Sequence, residues 1–147
     1  GGIRVPFIVN QPGKVPVQSL ENIIYFPDVM PTLAALTGVT KNLPQHINGM
    51  NILPLFYGKQ IDTNDRVLYW EFPGKQRAAR HGDWKAVTIK GFDAPLELYN
   101  LREDPDEKHD LAKKYPEMVI GFDKVMKEMR TPSENWPVPQ DAESGKK

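Results

Sequence analysis

The chain has 147 residues, of which 39% are hydrophobic and 26% are charged, a composition that excludes intrinsic disorder and allows a well-packed core. Its 19 basic and 19 acidic residues balance, which argues against nucleic acid or an anionic membrane surface as a partner. It holds no cysteine and no apolar run long enough to span a bilayer, which excludes thiol chemistry, disulfides and a membrane-spanning helix for these residues.

The chain opens on an apolar, β-rich run at residues 5–9, which has the composition of a buried strand. A buried strand needs neighbours on both sides to pair its backbone groups, and natural chains rarely open on one. We therefore interpret the chain as a piece of a larger protein. A helix is predicted next, with Val29 and Leu33 at helical spacing, Asp28 capping its start and Gly38 ending it.

From residue 66 onward the pattern changes to short apolar runs separated by turns. Four of these runs are strand-like: 66–72, 76–81, 84–90 and 96–100. The dipeptide Gly82-Asp83 suits a two-residue hairpin of type II′, in which glycine takes the first position. Four runs in succession with such short gaps predict an antiparallel meander with one covered face.

The cover for that face is predicted to be a helix from Tyr115-Pro116 to about Arg130, with proline in its first turn. Its apolar stripe includes Met118, Phe122 and Met126. The predicted fold class of the chain is therefore α+β, a four-stranded antiparallel sheet packed by a C-terminal helix. A strand and a helix left over from a larger domain precede it.

One local cluster of side chains is suited to binding. Arg77, Arg80, His81 and Lys85 surround the predicted hairpin, and Trp84 lies beside them. Such a tip can bind an anionic or sugar-like group, with the indole as a stacking plate. The alternative is a solvated hairpin whose tryptophan belongs to the core.

Other reactive constellations are missing from the sequence. The histidines are scattered, and no serine lies in a nucleophile motif. Asp104, Asp106 and Asp110 alternate as metal ligands do, but the glycine and the terminal glutamate of a calcium loop are absent, which favours a solvated turn. We therefore assign no catalytic residue and no metal ligand to this chain.

Five strings, in order and spacing, resemble motifs of the type I, formylglycine-dependent sulfatases. They are the opening GGIRVPFIV with Pro12-Gly13, DVMPTLA from Asp28, the stretch from Asn48 to Gly58, ARHGDWK at 79–85, and ELYNL at 97–101 with its continuation to Ala112. The chain departs from the usual motifs at Gln11, where tryptophan is usual, and at Asn48 and Asn51, where aspartate and serine are common.

The resemblance implies an alkaline-phosphatase-like α/β parent that hydrolyses sulfate esters. In that family a formylglycine, made from Cys or Ser in C/S-x-P-x-R, attacks sulfur, and a calcium ion stabilises the transferring oxygens. No such string exists here, so both cofactors are expected in the parent enzyme and neither in this chain. The family's C-terminal subdomain rims the substrate pocket, which makes Arg80 and His81 candidate substrate contacts.

The resemblance also implies a domain organisation. Residues 1–65 are expected to end the large sulfatase domain, 66–136 to form the C-terminal subdomain, and 137–147 to be a loose tail. The main hypothesis is a C-terminal sulfatase segment, inactive alone, whose partners are the rest of the sulfatase chain and a sulfate-ester substrate. The alternatives are a stand-alone binding module for sulfated or anionic glycans, and a segment of a related phosphatase-superfamily hydrolase. The family likeness favours a periplasmic or secreted location.

Overall fold

The computed structural model describes residues 3–72, 76–135 and 137–138. The chain forms two compact units, one ending at Asp65 and the other beginning at Arg66. Within the described ranges, no helix combines the length and apolar character needed to cross a membrane. Of the predicted loose tail at 137–147, residues 139–147 lie outside the described ones, while Val138 is buried.

The first unit is built around helix α1, Val29–Thr37, which a 3-10 turn at Phe26–Asp28 precedes. The helix ends at Gly38, whose φ of 76° is the left-handed conformation that glycine adopts at low cost. The predicted helix and its end at Gly38 are confirmed, but the predicted cap by the Asp28 side chain is wrong, because that side chain makes no capping hydrogen bond to α1. A short helix α2, Leu53–Phe56, follows after a second 3-10 turn at Thr40–Asn42.

The predicted strand at residues 5–9 is not formed, and that element of the prediction is corrected. The run has no regular secondary structure, and four of its five residues are exposed, with Val5 at 75% and Ile8 at 87%. A strand is defined by its hydrogen-bonded neighbours, and no strand pairs with this run in the part of the chain that is described. The composition of a buried strand is present without the sheet that would bury it.

The second unit contains one antiparallel sheet in the order β1-β2-β3-β4. The strands are Val67–Phe72, Gln76–His81, Trp84–Val87 and Glu97–Asn100. The predicted meander is confirmed, although β3 ends earlier than expected. At the next position the Thr88 hydroxyl accepts the backbone N–H of Arg77 at 2.9 Å. A side chain there takes the place of a ladder carbonyl, which ends the regular pairing.

Helix α3, Pro116–Met129, covers one face of this sheet, as predicted. Ala79 and Ala86 are paired across β2 and β3 and are fully buried. Phe122 and Met126 of α3 share a buried core cluster with them. Small residues at the centre of the sheet leave room for the large side chains of the helix, so the two layers interlock at the density of a protein interior.

Charged contacts attach the far end of α3 to the sheet. The Arg77 guanidinium is 7% exposed, lies 2.8 Å from the Asp123 carboxylate and stacks over the Phe92 ring. Arg130 lies 3.2 Å from Glu71 on β1. A hydrogen bond from Lys127 and the nearby Arg77 charge lower the pKa of Asp123 despite its partial burial. Asp123 is therefore held ionised in this network at neutral pH.

We expect Phe122→Ala to destabilise the second unit by about 3–5 kcal/mol, because it removes a large buried ring and leaves a cavity. The adjacent Gly121→Ala is the matched control. A Cβ at Gly121 has no neighbour within 4 Å, so helix propensity alone should stabilise by about 0.5–1 kcal/mol. Urea denaturation followed by tryptophan fluorescence measures both. A loss below about 1 kcal/mol for Phe122→Ala would contradict the packing described.

Candidate functional site

The candidate site lies at the turn between β2 and β3. His81 and Trp84 form the last pair of the ladder, so the turn contains only Gly82 and Asp83. Gly82 has a φ of 56°, whereas Asp83 is not among the residues with positive φ. Glycine in the first position alone is the type II′ arrangement, which confirms the predicted hairpin.

Arg80 and His81 leave the sheet on opposite faces, because successive side chains alternate along a strand. His81 points to the face that α3 covers. There it lines an open groove of about 260 Å³ together with apolar residues of β1 and α3. They are Val67, Met118, Gly121, Phe122 and Val125. Because side chains alternate along a strand, the sequence alone was enough to predict that Arg80 and His81 lie on opposite faces of the sheet.

Arg80 emerges from the other face and turns back toward the hairpin tip. Its Nε donates a hydrogen bond to the Gly82 carbonyl at 2.9 Å. That bond brings the guanidinium to the turn, close in the chain to the exposed His81. The two candidate contacts are thus neighbours in the chain beside the turn, but their side chains lie on opposite faces of the sheet.

Two other residues of the predicted cluster have structural roles instead. Trp84 packs edge-on against Tyr115, with ring centroids 5.2 Å apart and planes at 71°, and borders the core cluster. Trp84 therefore packs with the core, as the alternative interpretation expected, and does not act as a stacking plate for a bound group. Arg77 lies at the opposite end of β2, where its Nε also donates to the Phe92 carbonyl at 3.1 Å.

Lys85 has a buried partner that sequence reasoning did not find. Its Nζ lies 2.6 Å from the Glu107 carboxylate, with side-chain exposures of 9% and 15%. Burial raises the pKa of Glu107, whereas the hydrogen bond and the charge of Lys85 are among the interactions that lower it, and the net shift is downward. The ammonium predicted at the binding tip is therefore inside the unit, held by an ion pair.

The acidic loop after β4 is organised by its carboxylates. Asp104 accepts the backbone N–H groups of Lys108 at 2.8 Å and His109 at 2.7 Å. Asp110 accepts the backbone N–H of Leu98 at 3.0 Å, which attaches the loop to β4. These aspartates are more than a solvated turn, since two of them fix the loop through backbone hydrogen bonds.

The residues present do not fit the cofactors that the sulfatase likeness implies. Across the described ranges, no group of three or more His, Asp or Glu side chains is arranged to hold a metal ion. The sequence has no cysteine and no C/S-x-P-x-R string that could supply a formylglycine. We therefore assign no calcium ligand to the described residues and no formylglycine nucleophile to the sequence.

The aspartate at the start of α1 connects two parts of the first unit. Asp28 is fully buried, and its two carboxylate oxygens accept the backbone N–H groups of Tyr25 and Met50, each at 2.9 Å. It caps the preceding turn and not α1 itself, whose own N–H groups receive no side-chain cap. The motif aspartate is thus an internal structural residue.

The adjoining motif residues strengthen that connection. The Thr32 hydroxyl donates to the Asp28 carbonyl at 2.6 Å and accepts the Ile52 backbone N–H at 3.0 Å. A Cβ on Gly49 would lie 1.9 Å from the Pro27 carbonyl oxygen, so only glycine fits this close approach. The motifs around Asp28 and Asn48 therefore form one hydrogen-bonded unit.

This arrangement of motifs is that of a sulfatase C-terminal region. Residues 1–132 match the family described as N-sulphoglucosamine sulphohydrolase, C-terminal, and the chain belongs to that family. It is 30% identical to Arylsulfatase K of Gallus gallus over 139 residues, which are 86% of this chain and 26% of that protein. It is 28% identical to N-acetylgalactosamine-6-O-sulfatase of Bacteroides thetaiotaomicron, covering 88% of this chain and 28% of the relative.

The fold matches solved structures as well. The structure of Ps i-CgsB in complex with k-i-k-neocarrahexaose aligns with a TM-score of 0.56 and 30% identity, over 69% of this chain and 23% of that one. The chain thus spans about a quarter of the length of the relatives it matches.

We expect Asp28→Asn to destabilise the first unit by about 1–3 kcal/mol, because one buried backbone N–H loses its acceptor. Asp62→Asn is the control, since Asp62 accepts the Asn64 N–H in an exposed turn of the same unit. Hydrogen exchange at the Tyr25 and Met50 amides should accelerate only in Asp28→Asn. Unchanged exchange at both amides would contradict the role assigned to the Asp28 carboxylate.

Proposed function

We propose that this chain acts as the C-terminal segment of a sulfuric ester hydrolase, where it supplies scaffold and part of the wall of the substrate pocket. The observation that carries the proposal is the match of residues 1–132 to a sulfatase C-terminal family. The ion pairs and hydrogen bonds of the motif residues support it, because they stabilise a framework and contain no reactive centre.

The chemistry is proposed to come from the part of the sulfatase polypeptide that lies outside the region matched by this chain. A formylglycine and a calcium ion supply the nucleophile and the charge stabilisation in the parent enzyme. The residues of this chain bind and orient the substrate and help to enclose it. The chain alone is therefore inactive toward sulfate esters.

Arg80 and His81 are proposed to contact the substrate. A guanidinium offers a planar fork of donors that matches the oxygens of sulfate or carboxylate groups, which sulfated esters and sugars present. The bond from Arg80 to the Gly82 carbonyl directs that fork to the hairpin tip. His81 is exposed beside the turn, on the other face of the sheet, and adds a second polar group.

The remainder of the sulfatase polypeptide is the proposed partner of the first unit, which we take as the end of the large domain. Most of the large apolar side chains that stay exposed among the described residues precede residue 66, including Val5, Ile8, Leu33 and Leu36. Two open grooves lie between residues 7–9 and the elements behind them, one of about 360 Å³ with a mixed lining and one of about 420 Å³ with a mostly apolar lining. Exposed apolar area on this scale marks an interface.

The first test is activity of the chain alone. We expect the purified 147-residue chain to release no sulfate from 4-nitrophenyl sulfate or from sulfated disaccharides, with calcium present or absent. The longer polypeptide that contains it should release sulfate. Turnover by the isolated, verified pure chain would refute the proposal. Micromolar binding of sulfated sugars by the isolated chain, without turnover by the longer one, would favour the glycan-binding module.

The second test concerns the hairpin tip. In the full-length enzyme, Arg80→Ala or His81→Ala should raise KM or lower kcat more than tenfold on the natural substrate, because substrate contacts are lost while the fold is retained. Lys124→Ala, which removes only an exposed pair with Glu128 on α3, is the control and should leave both constants unchanged. Near-normal kinetics with circular dichroism intact would remove the substituted residue from the site.

A further inference from the structure

The buried ion pair between Lys85 and Glu107 joins the hairpin to the acidic loop. Lys85 is the second residue of β3 and therefore lies next to the turn. Two further contacts accompany the pair. The Leu101 backbone N–H donates to the Asp83 carbonyl at 2.7 Å, and the Arg102 guanidinium lies 3.0 Å from the Asp83 carboxylate at the surface. The hairpin tip is thus attached to the segment from 101 to 107 at several points.

The position of Lys85 creates a problem of charge that Glu107 relieves. Lys85 is directly opposite Arg80 in the register of β2 and β3, so both cations leave the same face of the sheet. Like charges directly opposite each other on two strands are destabilising. The Glu107 carboxylate at 2.6 Å compensates the lysine, which allows Arg80 to stay beside it.

The backbone of Glu107 indicates that its position is held by the surrounding structure. Its φ is 58°, the one positive value among the described residues other than glycine. A non-glycine residue in this conformation costs free energy and persists where its surroundings require it. The Glu107 N–H donates to the Asp104 carbonyl at 3.2 Å, in the loop that the Asp104 carboxylate fixes. This strained turn places the Glu107 carboxylate beside Lys85.

We propose that Lys85 and Glu107 are positioning residues for the substrate contact at Arg80, and thereby determine which sulfate esters the enzyme accepts. This rests on the proposed function of the hairpin tip. Neither side chain is exposed enough to bind substrate itself. The pair instead fixes the tip and neutralises the lysine, so that the charge presented at the turn is that of Arg80. A sulfated sugar, which extends beyond its sulfate, depends on this contact. A small aryl sulfate depends on it far less.

The test uses the full-length enzyme and two substrates, a sulfated disaccharide and 4-nitrophenyl sulfate. Glu107→Gln keeps the shape and removes the charge. We expect the KM for the disaccharide to rise at least tenfold with kcat within twofold, while kcat/KM for 4-nitrophenyl sulfate stays within threefold. A merely structural role would lower activity on both substrates together, which would overturn the proposal.

A double variant separates positioning from stability. Replacing a buried ion pair by apolar residues of similar volume is often neutral or stabilising, so Lys85→Met with Glu107→Leu should recover any loss of melting temperature in Glu107→Gln. We expect the KM for the disaccharide to remain raised in that stable protein. A KM that returns to normal with the melting temperature would show that the pair serves stability alone.

Arg102→Ala is the matched control for this design. It removes an ion pair with the same hairpin, but one whose side chains are 77% and 39% exposed, and exposed pairs contribute little. We expect both substrates to be turned over within twofold of the unmodified enzyme. A tenfold rise in KM here would mean that any tether to the tip suffices, which would contradict the role assigned to the buried pair. Failure of the unmodified enzyme on both substrates would refute the proposed function itself.

Discussion

The contact between α3 and the centre of the sheet is the constraint on which the second unit depends. Ala79 and Ala86 are paired at the middle of the sheet, and Phe122 and Met126 of α3 belong to the same buried cluster. A larger residue at either alanine would push the helix away, and a smaller one at Phe122 would leave a cavity. Because β2 and β3 take part in this core, the hairpin that joins them extends from a rigid base.

That base explains how so short a loop can hold the candidate contact Arg80 in a defined place. A two-residue turn leaves no freedom between Arg80 and Lys85, so whatever fixes one of them fixes the other. The core fixes the strands from one face, and the ion pair with Glu107 fixes them from the other. The candidate site is thus a consequence of packing on both faces of a thin sheet.

The charged residues of the sulfatase motifs have a common physical role in this chain. Asp28, Asp104 and Asp110 accept backbone N–H groups, and Lys85 pairs with Glu107. Buried charge is tolerated where its hydrogen-bonding capacity is used, and removing one partner leaves the other unpaired. These roles are structural, so the presence of a charged residue in a motif does not by itself make it catalytic.

The sequence by itself determined the four strands, the type II′ turn and both longer helices, because each depends on local signals such as period, proline and glycine. It also determined the family, through the order of the motifs. Only the tertiary structure decided that Lys85 forms an ion pair with Glu107 and that the Asp28 carboxylate accepts the Met50 N–H. It also decided that residues 5–9 form no strand. These outcomes depend on groups that lie far apart in the chain or on neighbouring strands, and no local pattern encodes such partners.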